Sequence, residues 1–123
     1  MRLMIVDDSN TIRSRILRIV NKYKRSNIDI VGLAPDGQQA LQIAKKTSPD
    51  TVTMDLTMPR MDGIEAISRL VRFNPAIKIL VVSALDDKAT AIVALRQGAC
   101  GFLPKPFTDE ELMLALLDVS DTN

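Results

Sequence analysis

Short apolar runs alternate with longer amphipathic stretches five times along the chain. Each apolar run predicts a strand, and each stretch that follows has apolar residues at the spacing of one helix face. The predicted strands are residues 3–6, 28–34, 51–54, 77–82 and 100–103. The predicted helices are residues 10–24, 37–46, 63–73, 86–97 and a last one that begins after Thr108. The pattern therefore predicts five consecutive strand–helix units.

The lengths of the helical stretches decide how the strands pair. Strands separated by about 10–15 helical residues are expected to pair in parallel, with helices on both faces of the sheet. The predicted fold class is therefore α/β, with a doubly wound sheet of five parallel strands. A chain of 123 residues fits one domain, which we assign to residues 1–123. Only four residues follow Val119, so we expect no second module.

Composition narrows the classes of function. The net charge of +1 does not favour direct nucleic-acid binding. The chain has no histidine, which excludes His-based catalytic triads and His-ligated metal sites. Its one cysteine, Cys100, cannot form an intramolecular disulfide, and we interpret it as a buried apolar side chain. No apolar run reaches the roughly 18 residues of a membrane span, so we expect no membrane insertion and a cytoplasmic location.

Residues capable of chemistry follow four of the five predicted strands. Asp7 and Asp8 follow the first strand, Asp55 the third, Ser83 the fourth and Lys105 the fifth. In an open parallel sheet, all carboxyl ends of the strands lie at one edge, and ligands bind there. If the first and third strands are neighbours, the three aspartates meet in one acidic cup. Ser83 and Lys105 then flank that cup.

Each residue type has a use in such a cup. Three carboxylates repel one another, so the site should bind a cation. Oxygen ligands suit Mg²⁺, which typically takes one or two carboxylates, several waters and a substrate phosphate. A carboxylate such as that of Asp55 can act as a nucleophile and form an acyl phosphate. Lys105 can place a positive charge on the phosphoryl oxygens, and the Ser83 hydroxyl can donate a hydrogen bond to them.

Each of these residues also has a simpler interpretation when it is taken alone. Asp7-Asp8 could cap the first helix, Asp55 could be a turn residue, and Lys105-Pro106 could be an exposed loop. The joint occurrence of these residues at consecutive strand ends favours the functional interpretation.

The same residues carry a family resemblance. Over residues 1–117 the chain resembles response-regulator receiver domains of the stand-alone, CheY-like kind. The matching segments are residues 3–9, 54–63, 82–84 and 98–107. The resemblance implies a flavodoxin-like fold with strand order 2-1-3-4-5. It also implies a two-component signalling protein that is not an enzyme and that acts in chemotaxis- or motility-type signalling.

The resemblance assigns a role to each site residue. Asp55 would accept a phosphoryl group from a histidine kinase, and Asp7, Asp8, Asp55 and the Thr57 backbone carbonyl would bind Mg²⁺. Lys105 would contact the phosphoryl group, and the Lys105–Pro106 peptide bond is expected to be cis. Ser83 would couple the phosphoryl group to the aromatic switch residue, here Phe102.

Two positions depart from the common family pattern. Phe102 stands where the family often has tyrosine, so a hydroxyl contact with a partner is lost. Leu85 cannot orient a water molecule, which favours slow self-dephosphorylation.

Several alternatives remain open. An aspartyl-phosphate phosphatase of the haloacid-dehalogenase type would need its nucleophile on the first strand, whereas the candidate acceptor follows the third. A flavodoxin-like cofactor binder would need a phosphate loop where the chain has Asp7-Asp8. The chain could also be a receiver that is not phosphorylated, or a receiver excised from a larger regulator, for example a transcriptional one.

The output surface is predicted on the fourth helix, the fifth strand and the fifth helix. Leu112, Ala115, Leu116 and Val119 share one helix face and should pack on the sheet. Met113, Leu114 and Leu117 have less obvious burial, and could bind a target protein or a second copy of the chain. They could also simply pack against neighbouring helices.

Overall fold

The computed structural model of the chain describes residues 1–23, 27–84 and 88–121. Strands and helices alternate along it, as the sequence pattern predicts. The strands are β1 (Arg2–Val6), β2 (Asp29–Ala34), β3 (Thr51–Met54), β4 (Lys78–Ala84) and β5 (Gly101–Lys105). The helices are α1 (Asn10–Lys22), α2 (Gly37–Thr47), α3 (Gly63–Phe73), α4 (Lys88–Arg96) and α5 (Asp109–Ser120).

The five strands form one parallel sheet in the order β2-β1-β3-β4-β5. This order confirms the predicted topology. It places β1 beside β3, and therefore places the residues that follow both strands at one edge of the sheet.

Each face of the sheet is covered by its own hydrophobic layer. Met4, Val6, Val52 and Met54 point to the side covered by α2, α3 and α4. The alternate positions Leu3 and Ile5 point to the side covered by α1 and α5. Because side chains alternate along a strand, nearly continuous apolar strands supply both layers.

Side chains of the preceding loops fix where the helices begin. Ser9 accepts the Ile12 N–H, Asp36 the Gln39 N–H and Asp62 the Glu65 N–H. Thr108 and Glu111 form a reciprocal capping box at the start of α5. These caps satisfy donors that the first turn of a helix leaves without partners, and they set the entry points of four helices.

The last two strands run further than the sequence predicts. β4 continues to Ala84 and β5 to Lys105, so Pro104 lies inside a strand and pairs in register with Ser83. A proline is tolerated there because β5 is an edge strand. The predicted start of the fourth helix at Asp86 and the predicted end of the first at Lys24 lie outside the described residues, as does Leu85.

Within the described ranges, none of the helices is both long enough and apolar enough to span a membrane.

Candidate functional site

The carboxyl ends of β1 and β3 bring three aspartates together. The Asp7 N–H donates to the Ala34 carbonyl at 3.0 Å, and the Asp55 N–H donates to the Val6 carbonyl at 3.0 Å. These bonds extend the strand pairing past the last residue of each strand. One carboxylate oxygen from each of Asp7, Asp8 and Asp55 lies within 4.8 Å of the other two. The acidic cup therefore exists, and we use that name for these three side chains.

Two of the three carboxylates are buried. Asp7 is 1% exposed and Asp55 is 5% exposed, whereas Asp8 is exposed to solvent. Burial raises the pKa of Asp55 to about 6, and the neighbouring Asp7 carboxylate adds to the rise. Lys105 and the Thr57 N–H lower the pKa of Asp55 in part, while Asp8 raises it further. The cup thus concentrates negative charge in a place that water only partly reaches.

The composition of the cup fits a hard divalent cation. All its side-chain donors are carboxylate oxygens, two of them with little access to water. Closely spaced oxygens of this kind are the ligands that Mg²⁺ and Ca²⁺ prefer, whereas zinc sites mostly use nitrogen and sulfur ligands.

Lys105 lies over the cup from the end of β5. Its ammonium nitrogen is 2.9 Å from Asp7 Oδ2 and 3.7 Å from Asp55 Oδ1. The Lys105–Pro106 peptide bond is cis, as expected. Lys105 therefore touches both buried carboxylates and is not the exposed loop residue of the simpler interpretation.

Ser83 and Phe102 lie near the same end of the sheet, on β4 and β5. Ser83 is buried, and it follows the part of β4 that pairs with β3 up to Met54. Phe102 lies two residues before Pro104 on the neighbouring strand. Its ring lines an apolar groove of about 280 Å³ together with residues of α4, which are Lys88, Ala91, Ile92 and Leu95.

Thr57 begins the loop that follows the cup. Its N–H lies 3.5 Å from Asp55 Oδ1, a long hydrogen bond, and its side chain is exposed. The backbone of this residue is therefore next to Asp55, where the sequence places it.

The structure corrects one expectation about the output surface. Met113 is buried in the layer between α1, α5 and the sheet, so it is not a surface residue. Leu114 and Leu117 are exposed, and Leu112, Leu116 and Val119 are buried as predicted. Further apolar exposure is on α4, where Ile92 is 53% exposed and Val93 and Leu95 are also exposed.

Three arginines that the sequence analysis did not single out hold the loops around the cup. Arg13 donates to the Asp7 carbonyl, and Arg15 donates to the Phe107 carbonyl and covers the Phe107 ring at 4.6 Å. Arg60 contacts Asp36 at 2.6 Å. The one local signal for these contacts is Asp36-Gly37 after β2, which is typical of a helix N-cap. The partners of Arg15 and Arg60 are 92 and 24 residues away in sequence, and no spacing rule identifies any of the three contacts.

Comparison with known proteins points to one family. The profile of the response regulator receiver domain matches residues 3–117. The chain is 39% identical to chemotaxis protein CheY of Thermotoga maritima over 119 residues, which cover 97% of each chain. It is 35% identical to chemotaxis protein CheY of Listeria monocytogenes over 116 residues, covering 94% of this chain and 95% of that one.

A solved structure gives the same result. The chain superposes on one chain of the CheX–CheY–BeF3–Mg complex from Borrelia burgdorferi with a TM-score of 0.91. The two sequences are 28% identical, and the match covers 99% of this chain and 90% of that one.

Proposed function

Since the chain belongs to the response regulator receiver domain family, we propose that residues 1–123 are one receiver domain that is phosphorylated on Asp55. The observation that carries this proposal is the acidic cup with a lysine over it. Carboxylate oxygens of Asp7, Asp8 and Asp55 lie within 4.8 Å, and the Lys105 ammonium is 3.7 Å from Asp55 Oδ1. A buried nucleophilic carboxylate beside a fixed cation suits phosphoryl transfer.

The donor in this proposal is a phosphohistidine of a histidine kinase. A carboxylate oxygen of Asp55 attacks the phosphorus, the phosphorus–nitrogen bond breaks, and the electron pair stays on the imidazole. The product is an acyl phosphate on Asp55. Because the pKa of Asp55 is about 6, the carboxylate is ionised in most molecules at pH 7 and can act as the nucleophile. Lys105 is close enough to shift from Asp7 and Asp55 to the new phosphoryl oxygens.

The residues that would hold Mg²⁺ are Asp7, Asp8, Asp55 and the Thr57 backbone carbonyl. When bound, the ion would offset the charge of the carboxylates and of an incoming phosphoryl group. The oxygen-only side chains of the cup support this assignment. The Borrelia burgdorferi complex to which this chain is similar contains both BeF3 and Mg²⁺.

The signal leaves the site through Ser83 and Phe102 in our proposal. The Ser83 hydroxyl would donate to a phosphoryl oxygen, and the Phe102 ring would change its packing on β5. Phe102 already lines the groove with Ile92 and Leu95 of α4, both of which are exposed. A shift of this ring therefore alters the face formed by α4, β5 and α5, which we call the output face.

A protein partner, or a second copy of the chain, binds the output face in this proposal. We assign the chain a signalling role rather than an enzymatic one, because its proposed product is the modified domain itself. Chemotaxis-type signalling is the pathway that the Thermotoga maritima and Listeria monocytogenes relatives favour.

Acetyl phosphate with Mg²⁺ tests the phosphorylation site. Borohydride trapping and peptide mass spectrometry should locate the label on Asp55, and Asp55→Asn should abolish it. The matched control is Asp62→Asn, an exposed aspartate of the same loop whose replacement can still cap α3. Labelling that persists in Asp55→Asn, or that is found elsewhere in the wild type, contradicts the proposal.

The output face is tested separately by an Ile92→Ser, Leu95→Ser double variant. Both side chains are exposed, so folding and labelling of Asp55 should be unchanged. Association that depends on phosphorylation should fall, as measured by analytical ultracentrifugation and by pull-down with and without BeF3. Leu114→Ser, Leu117→Ser is the comparison variant on the outer side of α5. Unchanged association in the α4 variant would remove α4 from the output face.

A further inference from the structure

The loop that follows Asp55 is fastened to the turn after β2 by a buried charge. Asp36 is 1% exposed, and its Oδ2 is 2.6 Å from Nη1 of Arg60, whose side chain is 63% exposed. A second bond joins the same two segments, since the Gly37 N–H donates to the Met61 carbonyl at 3.2 Å. A Cβ at Gly37 would meet that carbonyl at 2.6 Å, so the two backbones are in close contact.

Arg60 has an unfavourable backbone conformation. Its φ is +69°, and the Met61 N–H donates across it to the Pro59 carbonyl at 2.8 Å. A three-residue turn with φ of this sign is rare and strained, and an arginine gains nothing from it locally. Such strain persists only where surrounding contacts maintain it. Among the described residues, the hydrogen bond and ion pair of this side chain are with Asp36.

Asp36 does not need Arg60 to cap α2. Its Oδ1 accepts the Gln39 N–H at 2.8 Å, while Oδ2 faces Arg60. The two oxygens therefore have separate tasks, one within the turn and one across to the other loop.

Both segments border the acidic cup. On one side, Ala34 at the end of β2 accepts the N–H of Asp7. On the other side, the loop from Asp55 to Arg60 carries Thr57, whose N–H lies near Asp55 Oδ1. The far end of the loop packs closely against its beginning, since a Cβ at Gly63 would meet the Asp55 carbonyl at 2.3 Å. The Asp36–Arg60 contact attaches the middle of this loop to the turn after β2.

We infer that Arg60 and Asp36 are positioning residues that hold the loop after Asp55, and with it the Thr57 backbone, in the geometry that binds the divalent cation. This inference rests on the proposed function of the acidic cup. The two residues touch neither the cation nor the phosphoryl group, and act through the loop. They set how well the empty cup is organised before the cation arrives.

The test compares Mg²⁺ affinity among variants, measured from amide chemical shifts in an NMR titration. Arg60→Ala keeps a Cβ, and so keeps the steric cost of the positive φ, but loses the guanidinium. Asp36→Asn keeps a capping oxygen for the Gln39 N–H but loses the charge. Each variant should bind Mg²⁺ about tenfold more weakly than wild type. The double variant should bind no more weakly than either single one, because one contact is lost in all three.

Two further measurements separate positioning from a general loss of structure. Hydrogen exchange of the Thr57 and Met61 amides should accelerate in metal-free Arg60→Ala by a larger factor than exchange of the Val52 and Met54 amides in β3, which follows the global loss of stability. Arg60→Lys should recover part of the Mg²⁺ affinity. The control is Arg69→Ala, which removes an exposed arginine from its pair with Glu65 on α3 and should leave Mg²⁺ affinity unchanged.

The outcomes distinguish this inference from the proposed function. If wild type shows no Mg²⁺-dependent shifts at Asp7, Asp8 and Asp55, the assignment of the cup fails and the inference fails with it. If wild type binds Mg²⁺ and both Arg60→Ala and Asp36→Asn bind it equally well, only the inference is overturned. Additive losses in the double variant would also overturn it, because they would show two independent effects.

Discussion

Asp36 and Asp55 are both buried aspartates at the carboxyl edge of the sheet, yet their surroundings act in opposite directions. The Gln39 N–H, with help from Arg60, holds the pKa of Asp36 below its ordinary value. Burial and the Asp7 carboxylate raise the pKa of Asp55 to about 6. Asp36 has donors for both its oxygens, whereas Asp55 shares one lysine with Asp7.

This difference separates structural from functional use of the same residue type. A carboxylate whose oxygens are both paired stabilises its charge in the folded state and holds two loops together. A buried carboxylate that lies beside other carboxylates is repelled by them and destabilises the folded state, until a bound cation or a reaction removes the repulsion. Burial alone does not tell the two apart; the neighbours do.

The largest expected effect is from Asp36→Ala. It removes the cap of α2 and the partner of Arg60, so we expect a loss of about 2–3 kcal/mol in the free energy of unfolding. Urea denaturation at pH 7 measures it. Asp62→Ala, which removes an exposed cap, should cost only about 1 kcal/mol. Equal losses in the two variants would show that Arg60 and burial add nothing to Asp36.

Lys105→Ala should act mainly on the metal-free protein. It leaves the buried Asp7 carboxylate without its cation at 2.9 Å, which should cost about 2 kcal/mol of unfolding free energy at pH 7. Millimolar Mg²⁺ should restore much of this loss, because it neutralises the same carboxylates. Lys45→Ala, at an exposed position on α2, is the control. A loss that Mg²⁺ does not reduce would place the effect outside the cup.

Asp55→Asn should have the opposite sign to Asp36→Ala. The pKa of the Asp55 carboxyl is raised from 3.8 to about 6, which means that its charge at pH 7 is unfavourable in the folded state. Removing that charge should therefore make the metal-free protein more stable at pH 7. Solvent reaches part of the cup and screens the charge, so we expect a gain of about 1 kcal/mol. Urea denaturation in EDTA measures it. A destabilised Asp55→Asn would mean that Asp55 is paired as favourably as Asp36.

The pH dependence of stability gives the finest test. A raised acid pKa means that the folded state binds more protons than the unfolded state between pH 3.8 and about 6. The contribution of Asp55 to the free energy of unfolding is therefore fully present below pH 3.8 and is lost as the pH rises through about 6. In EDTA, wild-type stability should fall by about 1 kcal/mol between pH 5 and 7.5 relative to Asp55→Asn. Parallel pH profiles of the two proteins would contradict the raised pKa.

The residues of the cup could be predicted because they depend on local position. Asp7, Asp8 and Asp55 each lie just after an apolar strand, Lys105 is the last residue of one, and parallel strands end at one edge. The strand order was predicted from the family resemblance and was confirmed.

Other features depend on tertiary contacts that no local pattern encodes. The pairing of Asp36 with Arg60 joins residues that are 24 apart in sequence, and Arg60 has a positive φ in the same loop. Because α5 is apolar on most sides, the sequence left Met113 open between a partner-binding surface and packing against neighbouring helices, and the structure shows the packing, in one cluster with residues of α1. The true extent of β5 was missed because Pro104 ends a strand by local rules, and only an edge position allows it.

Pro104 also limits how another protein can join this sheet. β5 is one free edge, and its pairing with β4 continues through Pro104 to Lys105. An incoming strand needs a continuous row of backbone donors and acceptors, and proline has no donor to offer. The outer side of β5 is therefore a poor template for strand addition, whether by a partner peptide or by an aggregating copy. A protein that binds beside Phe102 must therefore recognise side chains rather than the backbone of β5. The arrangement of those side chains is what a change in the packing of Phe102 can alter.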